Sequence, residues 1–299
     1  VIGMAETATA LGRGVAEEAA LRAGRDDVLY VQTTRCRLSR PLAFEFDESH
    51  SHAPDQAVYL PDPVLQPLFQ AARSLVLVDD EISTGRTLLE LARAYLRLNP
   101  QVEQVAFASI TCWLDEARQR ELAIELERSL TFPALIEGEF HFTADPAFPP
   151  PALPLTVASS AAGHDAISTD PARTGVMAGS QRWPGIPLPR PGEREGLIII
   201  GTGEYAYAPF RIALALEEQG CDVRYQSTTR SPILVGDAIT RRWEFPDHQG
   251  DGITNYLYNL DPERLPVVIY EHPALQAAHS LAHDLGGLAF AVEEPCRAS

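Results

Sequence analysis

Two adjacent acids and a cluster of small hydroxyl residues follow one apolar run in the first third of the chain. The segment reads LVLVDDEISTGRT over residues 75–87. An apolar strand would end at Asp79 and Asp80, the edge at which open α/β sheets bind ligands, and carboxylates there can accept hydrogen bonds from the vicinal hydroxyls of a ribose. The loop then leads into a helix, whose N-terminal N–H groups and dipole favour a phosphate. Gly85 would let the backbone approach that phosphate without a Cβ.

A simpler interpretation of this segment is a capped helix preceded by two solvated acids. That interpretation leaves the acid pair unexplained, because two like charges at one strand end repel each other. A Walker A loop is excluded, since the chain has no GxxxxGK[ST] pattern. The segment therefore predicts a site for a sugar phosphate.

The elements that would position this site alternate strand and helix patterns over residues 1–145, which predicts a parallel α/β sheet with covering helices. The candidate strands are Val28–Gln32, Leu75–Val78 and Val105–Thr111. The candidate helices are Leu11–Ala23, Thr87–Leu98 and Leu114–Leu130. Residues 146–194 are rich in Pro, Ala, Ser and Gly and are interpreted as an irregular linker. Strand and helix patterns return over residues 195–299, so the sequence predicts two domains.

Residues 195–299 repeat the pattern of residues 1–145. Four short stretches match in the same order: residues 1–8 with 199–206, 31–35 with 225–230, 44–47 with 243–247, and 75–78 with 267–269. In the first match a strand ends at a glycine, a glutamate follows three residues later and a helix begins. We therefore predict two copies of one α/β unit, the second diverged, and call residues 1–145 the first copy and residues 195–299 the second copy.

The segment 75–87 resembles the signature with which type I phosphoribosyltransferases bind 5-phosphoribosyl-1-pyrophosphate (PRPP). That signature is an apolar strand, two acids and a small-residue Thr-Gly loop, and the resemblance implies the fold of that family, a parallel sheet flanked by helices. It also implies that Asp79 and Asp80 are catalytic residues that hold the ribose 2- and 3-hydroxyls. Mg²⁺ is implied as a cofactor, bound through PRPP and reached by Asp79 or Asp80 through a water. The residues implied to enclose the 5-phosphate are Ser83, Thr84, Gly85, Arg86 and Thr87.

The same family carries a pyrophosphate-binding loop after its first strand. That position is occupied here by Gly3, Met4, Ala5, Glu6 and Thr7. By itself this stretch would be interpreted as a plain strand-to-helix turn, and its place ahead of the PRPP motif favours the functional interpretation. Arg35, at the end of the next strand, is a candidate pyrophosphate contact, whereas Arg37 and Arg40 are as readily solvated surface residues.

A lid that closes over PRPP to exclude water is implied between Cys36 and Asp62. His50 and His52 are candidates for contact with pyrophosphate or for proton transfer. Two histidines on a polar loop are more often simply solvated. A metal site formed by these histidines with Asp47 and Glu48 lacks a recognised ligand spacing.

The stretch Thr229-Arg230-Ser231-Pro232 extends the resemblance to the second copy. The two-domain arrangement resembles a bacterial phosphoribosyltransferase family with a C-terminal TRSP domain. That family is associated with tellurite-resistance-type gene clusters, and its acceptor is presumed rather than established. The resemblance spans nearly all of the chain except the linker. The chain has no initiating Met and opens on a strand of functional type, so we expect the natural protein to extend upstream of Val1.

The second copy is not expected to bind PRPP, because Tyr270–Gln276 replaces the acid pair, the hydroxyls and the glycine of the motif. Arg230 can be an anion clamp or a buried structural residue paired with Glu204 or Glu244. The polar residues that we expect to meet at one pocket of this copy are Gly203, Glu204, Thr229, Arg230 and Ser231. Ring stacking and core packing are the alternatives for four tyrosines, Tyr205, Tyr207, Tyr256 and Tyr258.

The net charge of −17 argues against nucleic-acid or acidic-membrane binding. The chain has no apolar run of the roughly eighteen residues that a membrane helix needs, so none is expected. The four cysteines show no paired metal spacing and favour reduced thiols in a cytoplasmic protein. The oligomeric state is open, with a homo-oligomer among the alternatives.

The favoured hypothesis is an enzyme, a Mg²⁺-dependent pentosyltransferase that moves the phosphoribosyl group of PRPP to a base-like small-molecule acceptor in nucleotide-type metabolism. One alternative is a non-catalytic PRPP- or nucleotide-binding regulatory protein, because phosphoribosyltransferase folds also serve that role. Another is a nucleoside-processing enzyme that releases a base. The sequence identifies neither the acceptor nor a general base.

Overall fold

The computed structural model describes residues 1–47, 55–148, 168–179 and 196–292. They form two α/β units and a short segment that lies against both. Within these residues, no helix combines the length and the apolar character that crossing a membrane requires.

The first copy is built on a mainly parallel sheet with helices around it. Its strands are β1 (Ile2–Gly3), β2 (Leu29–Gln32), β3 (Leu42–Asp47), β4 (Asp55–Tyr59), β5 (Ser74–Val78), β6 (Glu81–Ile82), β7 (Gln104–Cys112), β8 (Ser129–Thr131) and β9 (Ala134–Glu137). Its helices are α1 (Ala8–Ala23), α2 (Gln66–Ala71), α3 (Arg86–Leu98) and α4 (Glu116–Leu126).

The predicted elements of the first copy are confirmed, with differences at their ends. The largest difference is at α4, which is shorter than the predicted Leu114–Leu130. The Asp115 side chain accepts a hydrogen bond from the Arg118 N–H and caps the start of the helix. Glu127 adopts a left-handed φ of 55° and ends it, which frees Ser129–Thr131 to form β8.

Four parallel strands of the first copy lie side by side in the order β2-β1-β5-β7. Ile2 of β1 pairs with Val31 of β2 on one side and with Leu77 of β5 on the other. All three side chains are at most 2% exposed, as expected for strands that are covered on both faces. Because these strands are parallel, their carboxyl ends, and the loops that follow them, meet at one edge of the sheet.

The segment 168–179 differs from the irregular linker that its composition indicated. It forms a 3-10 helix over Pro171–Thr174 and a strand, β10 (Val176–Met177), that pairs antiparallel with β2. Three of its side chains anchor it, since Ala172 and Arg173 are 1% exposed and Val176 is 3% exposed. Tertiary burial therefore orders a stretch whose local sequence favours no regular element.

The second copy reproduces the fold of the first. Its strands are β11 (Gly196–Gly201), β12 (Val223–Ser227), β13 (Arg242–Pro246), β14 (Thr254–Tyr258), β15 (Arg264–Tyr270) and β16 (Leu288–Ala291). Its helices are α5 (Tyr207–Glu218), α6 (Pro273–Ala278) and α7 (Leu281–Asp284). The parallel order β12-β11-β15-β16 matches β2-β1-β5-β7, and the antiparallel hairpin β13–β14 matches β3–β4. The predicted internal repeat is confirmed.

The strand register fixes which residues of the two copies are equivalent. Gly3 pairs with Gln32, and Gly201 pairs with Ser227. The next three residues are therefore equivalent, Thr33-Thr34-Arg35 in the first copy and Thr228-Thr229-Arg230 in the second. On the other side, Gly3 pairs with Val78 and Gly201 with Ile269, so Glu271 stands where Asp80 stands.

The two copies pack through their first helices and through the carboxyl edges of their sheets. Helices α1 and α5 lie against each other, and the Arg13 guanidinium of α1 stacks 4.6 Å from the centre of the Tyr207 ring of α5. The Thr9 hydroxyl of α1 donates to the Glu204 carbonyl at 3.1 Å. Residues that follow the first strand of each copy are therefore brought to a shared boundary.

Candidate functional site

The acid pair lies where the central strand β5 ends. The backbone on both sides of it is held by β7, since the Asp79 N–H donates to the Ala108 carbonyl at 3.0 Å and the Asp80 carbonyl accepts from Thr111 at 3.1 Å. The Asp79 side chain is half-buried and that of Asp80 is exposed. The Asp80 carboxylate accepts a hydrogen bond from the Thr7 hydroxyl at 3.1 Å. The pair therefore presents carboxylate oxygens at the sheet edge from a rigid backbone.

The loop after the acid pair ends in a helix start that the protein does not cap with a side chain. Gly85 occupies the N-cap of α3 with a left-handed φ of 73°, and an added Cβ would lie 2.6 Å from a Leu122 methyl. Among the described residues, no side chain caps the first turn, and the bond from the Arg86 N–H to the Thr84 hydroxyl is long at 3.4 Å. Ser83 is exposed and Thr87 half-buried. A helix start of this kind can bind an anion.

The Gly3–Thr7 loop is fixed beside the acid pair. The Met4 N–H donates to the Val78 carbonyl at 2.9 Å, and the Ala5 N–H donates to the Thr33 hydroxyl at 2.8 Å. The peptide between Ala5 and Glu6 is cis. Gly3 has no space for a side chain, because an added Cβ would lie 2.5 Å from the Tyr30 hydroxyl. The close packing of α1 on β1 thus sets the position of this loop.

Arg35 lies against the Gly3–Thr7 loop, whereas the two other arginines near it do not. The Arg35 Nε is 3.4 Å from a Glu6 carboxylate oxygen, with both side chains about one-tenth exposed. Arg37 pairs with Glu45, and Arg40 makes an exposed pair with Asp62 at 3.6 Å. The structure therefore places Arg35 beside the loop, whereas Arg37 and Arg40 form ion pairs away from it.

The lid candidates His50 and His52, with Glu48, lie outside the described residues. Strands β3 and β4 flank that segment. In the described ranges, no group of three or more His, Cys, Asp or Glu side chains has the geometry to hold a metal ion.

The equivalent edge of the second copy is filled by a buried arginine from the segment 168–179. The Arg173 guanidinium lies 3.2 Å from the Glu204 carboxylate and 2.8 Å from the Glu271 carboxylate, and all three side chains are at most 7% exposed. Glu204 is the loop glutamate of this copy, equivalent to Glu6, and Glu271 occupies the position of Asp80. An internal cation thus lies between the two carboxylates that the repeat places at this edge.

Burial and ion pairing with Arg173 have opposite effects on the pKa values of Glu204 and Glu271. Burial raises the pKa of Glu204, but the Arg173 charge and hydrogen bonds from Thr34 and Arg35 outweigh it, so the net shift is downward. Burial also raises the pKa of Glu271, and there Arg173 offsets only part of the effect. Arg173 therefore favours the ionised form of both carboxylates, and its effect on the pKa exceeds that of burial only at Glu204.

The remaining second-copy candidates follow the neighbouring strands β11 and β12 at one sheet edge, and the pocket expected of them stays a prediction. The Gly203 N–H donates to the Thr228 hydroxyl at 2.8 Å, and the Ser231 N–H donates to the Thr229 hydroxyl at 3.1 Å. Arg230 does not form the expected ion pair with Glu204 or Glu244; its ion-pair partners are Glu6 at 3.8 Å and Asp251 at 3.7 Å. Glu244 pairs instead with Arg242. Three of the four candidate stacking tyrosines, Tyr205, Tyr207 and Tyr256, are at most 4% exposed and pack in the interior.

A cavity of about 570 Å³ lies beside the loop of residues 83–87, and its lining does not include the acid pair. Its charged lining is of mixed sign and consists of Glu45, Arg86, Glu90, Arg93, Arg97, Arg118 and Glu125. Arg93 and Arg118 are each paired with Glu125 at 3.2 Å. Of the predicted 5-phosphate residues, Arg86 is exposed and lines this cavity, which therefore borders the candidate site.

Residues 1–139 match the model of a family described as phosphoribosyl transferase. Residues 185–284 match the model of the TRSP domain that lies C-terminal to that transferase domain. The chain belongs to the two-domain phosphoribosyltransferase family with a C-terminal TRSP domain. No curated protein matches the chain. The transferase match thus covers the copy that carries the acid pair, and the TRSP match covers most of the second copy.

Sequence reasoning missed three contacts of this phosphoribosyltransferase edge. Arg173 carried no signal, because a single arginine in a Pro-rich stretch resembles any solvated residue. Glu271 could have been found by extending the repeat to the end of β15, where it retains one of the two acids. The Trp113 indole donates to the Glu81 carboxylate at 2.8 Å and brings an aromatic ring beside the motif. No local pattern predicts that contact, since it joins Glu81 of β6 to a residue 32 positions away that follows β7.

Proposed function

We propose that the protein transfers the phosphoribosyl group of PRPP, bound with Mg²⁺, to a small-molecule acceptor and releases pyrophosphate. The observation that supports this best is the position of Asp79 and Asp80. They lie between a helix start without a side-chain cap and the Gly3–Thr7 loop, to which the Thr7–Asp80 hydrogen bond joins them. A sugar with a phosphate at each end fits such an arrangement.

In this proposal the ribose and its 5-phosphate bind on the α3 side. Asp79 and Asp80 accept hydrogen bonds from the 2- and 3-hydroxyls of the ribose. The N–H groups at the start of α3, with the hydroxyls of Ser83, Thr84 and Thr87, bind the 5-phosphate. Gly85 leaves the space for that approach, because a side chain at this position would meet Leu122.

The pyrophosphate lies on the other side, over the Gly3–Thr7 loop and Arg35. When the bond at C1 of PRPP breaks, the ribose gains positive charge and pyrophosphate leaves with negative charge. Arg35 and the loop N–H groups that follow Ala5 stabilise the leaving group, and the nearby carboxylates stabilise the electron-poor ribose. These groups are held by backbone hydrogen bonds before the substrate arrives, so little reorganisation accompanies the reaction.

The residues of this edge fit Mg²⁺ as a partner of PRPP. Mg²⁺ prefers oxygen ligands and keeps several waters, with one or two carboxylates and substrate phosphates completing its shell. Asp79 and Asp80 offer such carboxylates, and the described residues hold no dedicated cluster of three ligands. We therefore infer that Asp79 or Asp80 reaches the ion through a water. When bound, Mg²⁺ would neutralise charge on the pyrophosphate oxygens.

Thermal unfolding with PRPP and Mg²⁺, followed by an assay for pyrophosphate release with a panel of candidate bases, tests this proposal. A ligand at about a hundred times its dissociation constant stabilises the folded state by about 2.7 kcal/mol. Stabilisation together with acceptor-dependent pyrophosphate release supports the transferase. Stabilisation with no release from any acceptor would support a PRPP-binding regulator. A melting temperature unchanged by millimolar PRPP and Mg²⁺ would contradict the assignment of the donor site.

A further inference from the structure

Equivalent residues of the two copies make reciprocal contacts across their boundary. The Arg35 N–H of the first copy donates to the Glu204 carboxylate of the second at 2.7 Å. The Arg230 N–H of the second copy donates to the Glu6 carboxylate of the first at 3.1 Å. Glu6 is equivalent to Glu204, and Arg35 to Arg230, so one type of contact occurs twice. We call these two contacts the reciprocal pairs.

The reciprocal pairs hold the two elements that are proposed to bind pyrophosphate. Glu204 accepts hydrogen bonds from the Thr34 hydroxyl and from the Arg35 N–H, and so fixes the end of β2. Arg230 contacts Glu6 through its N–H and lies with its guanidinium 3.8 Å from the same carboxylate. Thr7, the next residue of the loop, donates to Asp80. A continuous set of contacts thus runs from the second copy to the acid pair.

The Arg230 guanidinium faces carboxylates of the protein rather than open space. Its side chain is 13% exposed, and it lies 3.8 Å from Glu6 and 3.7 Å from Asp251. A cation that is already balanced by two carboxylates is a poor primary ligand for pyrophosphate. It is well suited to fix the position of Glu6, because charge pairs away from water are weakly screened.

We propose that Arg230 and Glu204 are positioning residues for the donor site of the first copy. They hold the Gly3–Thr7 loop and the Thr33–Arg35 strand end in the arrangement that binds the pyrophosphate of PRPP, so the TRSP domain completes a site that lies in the other copy. This inference rests on the proposed function. Its physical basis is preorganisation, since a displacement of about 1 Å at a reacting group can cost about a hundredfold in rate.

The test compares two ligands on the same full-length protein by calorimetry. Pyrophosphate with Mg²⁺ reports on the loop and Arg35, and ribose 5-phosphate reports on the acid pair and the start of α3. We expect Arg230→Gln to weaken pyrophosphate binding about tenfold, the lower end of the effect of losing a supporting contact around a bound metal. Ribose 5-phosphate should bind within about twofold of the parent value, which is the scale of effects at independent sites.

Three further variants separate positioning from a general loss of structure. Arg230→Lys retains the charge and should bind pyrophosphate more tightly than Arg230→Gln. Arg224→Gln, which removes an arginine that is 60% exposed on β12, is the matched control and should leave both affinities unchanged. Adding Arg230→Gln to Glu6→Gln should weaken pyrophosphate binding little beyond Glu6→Gln alone, because Arg230 acts through Glu6.

Each outcome supports or overturns the inference. Equal pyrophosphate affinity in Arg230→Gln and the parent overturns it, as does a parallel loss of both ligands in a folded variant. If Arg230→Gln does not fold, Arg230→Lys decides, since that variant keeps the cation and the backbone contact with Glu6. A fall in its pyrophosphate affinity relative to its ribose 5-phosphate affinity supports the inference, and an unchanged ratio of the two overturns it. A parent protein that binds neither ligand contradicts the proposed function itself, which distinguishes the two failures.

Discussion

The two copies share one strand order but differ in what surrounds the carboxylates at the equivalent sheet edge. In the first copy, Asp80 is exposed, and Glu6 is paired with Arg35 and Arg230. In the second, the equivalent Glu271 and Glu204 are buried around Arg173. The carboxylates that the repeat places at the ends of its strands require a counter-charge or donors in both copies. The first copy leaves Asp80 exposed at its edge, whereas the second copy surrounds Arg173 with the two equivalent carboxylates.

The helix that follows the edge shows the same difference. Helix α3 starts at Gly85 with no side-chain cap, so its first N–H groups can bind a phosphate. Helix α6 starts with Pro273, and the His272 side chain accepts the Ala274 N–H at 3.1 Å. Proline has no N–H to satisfy, and the histidine occupies a second donor. Internal hydrogen bonding thus satisfies a donor at this helix start, where α3 has no cap from its N-cap residue.

The largest effect is expected from removing the internal cation of the second copy. Arg173→Met leaves Glu204 and Glu271 buried without their partner, and the free energy of unfolding should fall by about 3–5 kcal/mol in denaturant titrations at pH 7. The loss should shrink at lower pH, because an unpaired buried carboxylate can be protonated. Arg224→Met, which breaks an exposed pair with Asp261, is the control and should cost about 1 kcal/mol at most. An Arg173→Met protein as stable as the parent would show that Glu204 and Glu271 do not need Arg173 as their counter-charge.

Removing the charges of the acid pair in the first copy should weaken ligand binding and leave the fold stable. Asp79→Asn with Asp80→Asn removes two charged acceptors for the ribose hydroxyls, and PRPP should bind roughly a hundredfold more weakly, about 2.7 kcal/mol. The fold should be retained, because the change relieves repulsion between neighbouring charges. Asp26→Asn with Asp27→Asn alters another adjacent acid pair of the same copy and should leave PRPP binding unchanged. Parent-like PRPP affinity in the Asp79 and Asp80 variant would refute the ribose role.

Acid should destabilise the second copy through His248. Burial, with help from nearby His279, Arg230 and Arg173, lowers the pKa of His248 to about 3. The unfolded imidazole takes up a proton below about pH 6.5 while the folded one stays neutral, so stability falls as the pH drops from about 6.5 towards 3. By pH 5 this contribution is about 2 kcal/mol.

The measurement is the change in the free energy of unfolding between pH 7 and pH 5. It should be about 2 kcal/mol smaller for His248→Gln than for the parent. His283→Gln changes a histidine whose side chain is 93% exposed. As the control, its free energy of unfolding should change between pH 7 and pH 5 by the same amount as that of the parent. Identical pH dependence in His248→Gln and the parent would show that burial of this imidazole does not oppose its protonation.

The smallest effects concern the two helix starts. His272→Ala removes the cap of α6 and should lower the free energy of unfolding by about 0.5–1 kcal/mol. Thr84→Ala, at the start of α3, should change stability less, because its 3.4 Å contact with Arg86 is weak, but it should reduce PRPP affinity. Thermal unfolding and calorimetry on the same two variants check this contrast. A PRPP affinity that falls in His272→Ala and not in Thr84→Ala would reverse the assignment of the two helix starts.

Sequence reasoning reached those features whose causes are local. The apolar run of β5, the acid pair and the small residues before α3 lie within residues 75–87, so strand, sheet edge and helix start could be inferred together. The repeat was visible because Gly3 and Gly201 each allow a helix to pack closely on the preceding strand. The ends of α4 were missed, since a left-handed Glu127 is not apparent from residue types.

What the sequence by itself determined is therefore the fold of each copy, the internal repeat and the identity of the phosphoribosyltransferase motif. Only the tertiary structure decided the partners of the charged residues. Arg173 meets Glu271 from 98 positions away, and Arg230 meets Glu6 from 224 positions away. Periodicity and turn chemistry report on neighbours along the chain, and they contain no information about which distant charges are buried together. The difference between an exposed acid at one edge and two carboxylates buried around Arg173 at the other follows from that burial.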